Sequence, residues 1–121
     1  MEPPSTRPLV GIVGPCGSGK STLAAGLEKN GYTCRDIAQE HSHVQAMWQI
    51  ITKPQFLIYL NASYPVSTAR RHLDWQEKDY TEELRRLAHA RQHAHLFIET
   101  DELTPEQVLQ KALDFLNSRS S

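Results

Sequence analysis

Cysteine is scarce in this chain. Two, Cys16 and Cys34, occur in 121 residues, too few for a disulfide framework. Cys16 also lies inside a glycine-rich stretch where a crosslink would hinder the backbone. Both are read as free thiols, which points to a reducing, cytoplasmic setting. An excess of one charge is missing too. The formal net charge is −1, so no basic field gathers nucleic acid or an anionic membrane, and neither is expected as a partner. No apolar run approaches the ~18 residues of a membrane span. No basic segment with an apolar core opens the chain, so no secretory leader is expected. Internal repeats are absent, and low complexity is confined to the ends.

What is present is ordinary globular material: 39% apolar and 22% charged residues. The length fits one domain, and a chain of this size buries roughly two thirds of the surface it exposes when unfolded. "MEPPSTRP" (residues 1–8) has three prolines and no periodicity and reads as a frayed tail, leaving 9–121 as the domain. From Leu9, LVGIVG reads as a short buried strand. After Lys20 the pattern turns helical, with Leu23, Ala24 and Leu27 inward and Asn30-Gly31 as the stop. "YTCRDI" (32–37) is a second strand. Ser42 and Gln45 suggest a capping box opening a helix with Val44, Met47, Trp48 and Ile51 as its stripe. The run Phe56–Leu60 suits a strand covered on both faces. Pro65 starts a short helix through Leu73, with Val66, Ala69 and Leu73 inward. "DWQEKDY" reads as a loop, and Thr81 as the cap of a helix with Leu84, Leu87 and Ala88 inward. "HLFIET" is a fourth strand. Thr104, Pro105 and Gln107 start a last helix, whose core face is Val108, Leu109, Ala112 and Leu116. Strands alternating with helices predict an α/β fold: a three-layer α/β/α sandwich around a short parallel sheet of about four strands.

One stretch carries specific chemistry. Gly14-Pro15-Cys16-Gly17-Ser18-Gly19-Lys20-Ser21 matches G-x-x-x-x-G-K-S/T at every fixed position. Glycines let the backbone curl so that successive N–H groups point into one cavity, and the following helix aims its N-terminus there. Lys20 can reach the β- and γ-phosphates, and the Ser21 hydroxyl can ligate Mg²⁺. A strand before the loop and a helix after it supply the required context. Residues 14–22, Thr22 included, are the expected nucleotide-binding segment, with ATP and Mg²⁺ as cofactors. A GTPase switch would need N-K-x-D and D-x-x-G, and neither occurs.

Three segments, "GIVGPCGSGKSTLAAGL", "FLIYLNASYPVSTARRHL" and "HLFIETDELTPEQVLQKALDFL", resemble the P-loop kinase group, close in layout to shikimate, gluconate, adenylylsulfate and nucleotide kinases. They cover nearly half the chain, and only the first is a specific motif. The resemblance implies a P-loop NTPase type of fold. It also implies that the second segment leads into a lid over the phosphates (72–93 here) and that the third passes beside the adenine. Such kinases have five parallel strands, with an acidic strand end holding the Mg²⁺ water shell. Here one strand fewer fits, and Asn61 follows Leu60 where relatives commonly carry Asp; we assign Asn61 a structural role. Asp36, ending the second strand, and Glu40 are the candidate replacements. Beside the first strand they would orient Mg²⁺ or its water; on an edge strand they would contact the acceptor.

Arg70 and Arg71 precede the lid and are candidate charge-neutralising groups for phosphoryl transfer; Arg85, Arg86 and Arg91 are weaker candidates. Glu82 and Arg86, spaced i,i+4, are equally a surface pair. Six histidines invite a metal reading, but neither cysteine is placed to complete a zinc site, so the histidines read as solvated. Trp48 reads as core; Trp75 could stack on a base or contact another chain. The expected machinery is Lys20, Asp36, Glu40, Arg70 and Arg71, with Ser21 and Asp36 at the metal. The expected function is ATP-dependent phosphotransfer to a small acceptor of unread identity. The alternative is a non-catalytic nucleotide-binding module, because acceptor-site material is short. A homodimer is one way to enclose an acceptor.

Overall fold

A computed structural model describes residues 9–71 and 75–120. The expected tail at 1–8, Leu73, and the 72–74 portion of the expected lid therefore lie outside the described residues. Four strands and four α-helices follow in the order β1 (Leu9–Val13), α1 (Lys20–Lys29), β2 (Thr33–Asp36), β3 (Phe56–Asn61), α2 (Tyr64–Arg71), α3 (Glu77–His93), β4 (Leu96–Glu99) and α4 (Pro105–Ser120), with no α-helix between β2 and β3. The sheet is parallel throughout, in the order β2-β1-β3-β4. The result is a small α/β/α domain around a four-stranded parallel sheet, as the alternation of elements predicts. No helix among the described residues is long and apolar enough to cross a membrane.

Period-two alternation sorts the strand side chains into two cores. Val10, Ile12, Ile58 and Leu60 face Leu23 and Leu27 of α1 and Val108, Ala112 and Leu116 of α4. Val13, Leu57 and Tyr59 point the other way, against Leu87 and Ala90 of α3 and against Ile37 and Trp48. The five-residue apolar run of β3 thus serves both layers, and Leu57 to Leu60 are at most 1% exposed. Gly11 lets the second layer close down. A Cβ there would lie 2.8 Å from Ile37 Cδ1 and 2.9 Å from Pro54 Cβ.

Three local expectations are corrected. First, no α-helix begins at Ser42. Residues 39–41 form one 3-10 turn, and Trp48–Thr52 form a single turn of π-helix ended by Lys53 at φ 52°. The cause is competition for backbone groups. Gln39 is fully buried, donates to Val44 O (2.8 Å) and Arg86 O (3.2 Å), and accepts the Trp48 N–H (2.9 Å). Gln45, the expected box partner, instead donates to Arg85 O and accepts from His89 N, both on α3.

Second, α3 starts at Glu77, within the expected loop, and Thr81 is not its cap. Gln76 and Asp79 make a reciprocal capping box, with the Gln76 N–H donating to Asp79 Oδ2 at 2.9 Å. Third, the inward stripe of α3 is Glu83, Leu87 and Ala90 rather than one containing Ala88, which is exposed. On α2, Ala69 is likewise exposed, and Ser67 is the buried residue. The other helix ends follow their signals. Asn30 N–H returns to Leu27 O and Gly31 takes φ 91° after α1; Thr104 and Gln107 exchange 3.1 and 2.8 Å bonds before α4.

Candidate functional site

In a parallel sheet the carboxyl ends of the strands share one edge, and here four connections converge there. The glycine-rich loop leaves β1 at Gly14. A Cβ at Gly14 would run into the Leu60 carbonyl oxygen, and φ there is +155°, so only glycine lets the loop cross the end of β3 so closely. Gly17 (φ 81°) and Gly19 (φ 98°) complete the curl, and α1 begins at Lys20. The side-chain oxygen of Ser18 is buried and has no hydrogen-bond partner among the described residues.

A cleft of about 320 Å³ lies against this turn. Its walls include Gly17 to Thr22 from the loop and α1, Asp36 from β2, Arg70 from α2 and Thr100 after β4. Leu103, Pro105 and Val108 give it an apolar side. Gly14, Pro15 and Cys16, grouped by sequence with the nucleotide-binding segment, are not among its walls. Gly14 and Pro15 are buried, and Cys16 turns toward α3.

Lys20 is the buried cation of the site. Its side chain is 9% exposed; its ammonium donates to Gly14 O at 3.0 Å and to Glu40 Oε2 at 2.8 Å. An ammonium has three N–H groups, and among the described residues two are taken, which leaves one for a ligand. Glu40, in the 3-10 turn, is 5% exposed at its side chain, and its other carboxylate oxygen accepts no hydrogen bond among the described residues. Asp36 ends β2 beside Ile12 of β1, so the second strand is a direct neighbour of the first. The Asp36 side chain sits on an exposed rim, yet protein packed on one side desolvates its carboxyl and raises its pKa; Lys20 pulls the other way and Glu40 adds to the rise.

Arg70 bridges two strand ends. Its guanidinium donates to Gly17 O at 3.2 Å, to Thr100 Oγ1 at 2.8 Å and to Thr100 O. Thr100 Oγ1 in turn donates to Asn61 O at 2.9 Å, and Asn61 Nδ2 holds the Glu99 carboxylate. The side chain of Arg71 lies outside the described residues. Arg85 and Arg86 pair with Glu82 at 2.6 and 2.9 Å, and Arg91 sits 5.1 Å over the Phe97 ring. The hydrogen bonds from Arg85 and Arg86 hold the Glu82 carboxyl down at about 2. Trp75 is half-buried beside Tyr64 and Tyr80 and donates to Thr68 Oγ1 at 2.7 Å, and it is not among the cleft walls. Trp48 is core, 7% exposed, and donates to His89 Nδ1 at 3.1 Å, so His89 is a structural acceptor rather than a solvated ring.

The expectation that neither cysteine is placed for a metal site fails for Cys16. Its N–H donates to Glu83 Oε1 (2.9 Å), its thiol to Glu83 Oε2 (3.2 Å), and its sulfur lies 3.6 Å from His41 Nε2. Burial, then the bond to Glu83, pushes the Cys16 thiol up to about 12. This grouping had no sequence signal, because His41 and Glu83 lie 25 and 67 positions from Cys16 and meet it only through the fold. A scan against protein-family models finds no match for this chain, and a search of curated proteins finds none either.

Proposed function

We propose that the chain binds a nucleoside triphosphate, ATP with Mg²⁺, in the cleft beside the glycine-rich loop, on a domain of the P-loop NTPase type. The observation that carries this reading is Lys20. Burying an ammonium is costly unless it is paired; here it is held at the start of a helix, beneath a loop of curled backbone, with an N–H to spare. The ligand chemistry fits the residues present. The first turn of α1 offers backbone N–H groups and a positive dipole end to phosphates. Ser21 and Asp36 supply the hydroxyl and carboxylate oxygens that Mg²⁺ prefers. Leu103, Pro105 and Val108 offer an apolar wall to a base. The volume is at the small end for ligand sites, which run from about 300 to 1,000 Å³.

Mg·ATP bound here supplies a transferable γ-phosphoryl group. The chain's own part is positional and electrostatic. Lys20 would neutralise phosphate charge, Arg70 braces the loop against the end of β4 and borders the cleft, and Asp36 and Ser21 would hold the cation. The activity that follows is phosphotransfer to a small acceptor. A non-catalytic nucleotide-binding module is the second reading, favoured by one observation: Gln39, Glu40 and Trp48 fill the space between β2 and α3 where an acceptor pocket would need room.

Calorimetry with Mg·ATP, beside phosphate-release assays, tests both. Binding that weakens about tenfold or more in Lys20→Ala and in Ser21→Ala is expected, since charge-assisted contacts to phosphate are among the stronger polar ones. Folded protein with no affinity for Mg·ATP overturns the proposal. Tight binding without phosphate release selects the second reading.

A further inference from the structure

The second cluster lies on the other flank of the glycine-rich loop, where Cys16 turns away from the cleft. We propose that Cys16 Sγ, His41 Nε2 and a carboxylate oxygen of Glu83 form a three-ligand site for a thiophilic divalent cation of the Zn²⁺ class, clamping the loop to α3 and to the 3-10 turn. This site is separate from the Mg²⁺ that accompanies a nucleotide.

Geometry is the warrant. With Zn–S near 2.3 Å and Zn–N or Zn–O near 2.0 Å, a tetrahedral ion separates sulfur from its nitrogen or oxygen neighbours by about 3.5 Å. Cys16 Sγ lies 3.2 Å from Glu83 Oε2 and 3.6 Å from His41 Nε2. Two of the three ligand edges therefore lie within about 0.3 Å of the length the ion imposes. The three ligand atoms all fall within 4.8 Å of one another, so the third edge is at most that long, and the exposed His41 is the ligand with room to shift.

The donor set selects the ion. One sulfur, one imidazole nitrogen and one carboxylate oxygen suit Zn²⁺ and its tetrahedral stand-in Co²⁺, whereas Mg²⁺ and Ca²⁺ require oxygen ligands throughout. Charge closes as well. At present a proton bridges the thiol and Glu83. On binding, that proton leaves to solvent, the cation takes its place, and one thiolate and one carboxylate balance the two positive charges. Three protein ligands leave a fourth position for water. Glu40 Oε2, the oxygen paired with Lys20, lies 3.8 Å from the ligating nitrogen of His41 and adds negative potential beside the site.

The ligands come from three places: the loop after β1, the turn after β2, and the middle of α3. A bound ion would therefore add a cross-link between three segments that meet here. Binding to the folded form only raises the unfolding temperature with ion concentration.

Co²⁺ titrated into the full chain, without nucleotide, tests the site. One equivalent should bind with a sulfur-to-cobalt charge-transfer band in the near ultraviolet and tetrahedral visible bands, both displaced by Zn²⁺. Cys16→Ser should lose the charge-transfer band, Cys34→Ser should keep it, and His41→Ala and Glu83→Gln should weaken binding about tenfold or more. Zn²⁺ should raise the thermal midpoint of the parent and not of Cys16→Ser. His41 has a side chain 58% exposed, so its variant keeps the test decisive if Cys16→Ser does not fold. A folded parent with no sulfur-to-cobalt band overturns the proposal. So does a band that survives Cys16→Ser or is indifferent to His41→Ala. Neither result bears on ATP binding.

Discussion

Lys20 and Glu40 face each other at 2.8 Å with both side chains at least nine-tenths buried, and this pairing governs what single substitutions there do. Removing one member of a buried ion pair strands the other charge, at a cost of about 3–5 kcal/mol. Lys20→Ala should therefore destabilise the chain by about 3 kcal/mol or more, and Lys20→Met combined with Glu40→Gln should restore most of that loss. Urea unfolding of the singles and the double checks it; additive losses would mean that the pair is not coupled in solution. Glu40→Gln alone should tighten Mg·ATP binding several-fold, because a buried negative charge no longer competes with phosphate for Lys20. A fall in affinity would instead place Glu40 on the cation. Asp36 gives a pH signature. Desolvation raises its folded pKa above 3.8, so over the window above 3.8 the folded chain holds the proton more tightly than the unfolded chain. Stability then falls as pH rises through that window and stays lower at neutral pH. Asp36→Asn should be more stable than the parent at neutral pH and lose this slope, while its Mg·ATP binding loses Mg²⁺ dependence. Equal stability profiles would rule out a desolvated carboxyl. Lys20 and Asp36 were legible as candidates from the loop pattern and the strand end. The Lys20–Glu40 bond was not, because nothing in a 20-residue separation says that the turn after β2 folds back under the loop.

At the scale of elements, the strands and the two helices of the first core could be read from apolar runs and end signals. The stretch from Gln39 to Pro54 and the start of α3 could not. Both failures have the same cause: a side chain outside the usual capping repertoire took over backbone groups. Gln76 caps α3 through Asp79, which no Ser or Thr pattern announces. Gln39 holds three backbone partners, Val44 O, Arg86 O and Trp48 N, from a site with no solvent exposure. Truncating it strands the buried Trp48 N–H, at about 1–3 kcal/mol, and takes one donor each from Arg86 O and from Val44 O, which keeps Met47 N–H and Ser42 Oγ. Gln39→Ala should therefore cost about 2–4 kcal/mol, far more than a typical surface Gln substitution. It should also release Trp48, reported by a red shift of its fluorescence before global unfolding. A loss under 1 kcal/mol, about the value of one ordinary hydrogen bond, would show that water replaces Gln39 freely.

The whole molecule is organised by the order β2-β1-β3-β4, which the sequence left open and which decides who meets at the cleft. With β1 between β2 and β3, the loop bearing Lys20 stands between Asp36 on one side and the Arg70–Thr100 bridge on the other. On the nucleotide reading, holding phosphate would draw on all four strand ends, and Mg·ATP should slow hydrogen exchange together at residues 17–23 and 98–103. The same layout bears on turnover. Residues 77–93 of the expected lid form α3, anchored by Leu87 and Ala90 in the second core, so this part of the lid is packed against the sheet. Water exclusion is what protects a γ-phosphate from hydrolysis, and a cleft walled on one side by the exposed rim of Asp36 excludes it poorly. If the nucleotide reading holds, purified chain should release phosphate from Mg·ATP slowly without any acceptor, above a Lys20→Ala control, with only modest stimulation by small hydroxylated compounds. Stimulation by orders of magnitude would show that an acceptor completes the enclosure itself, and would move the site's missing wall from this chain to its substrate.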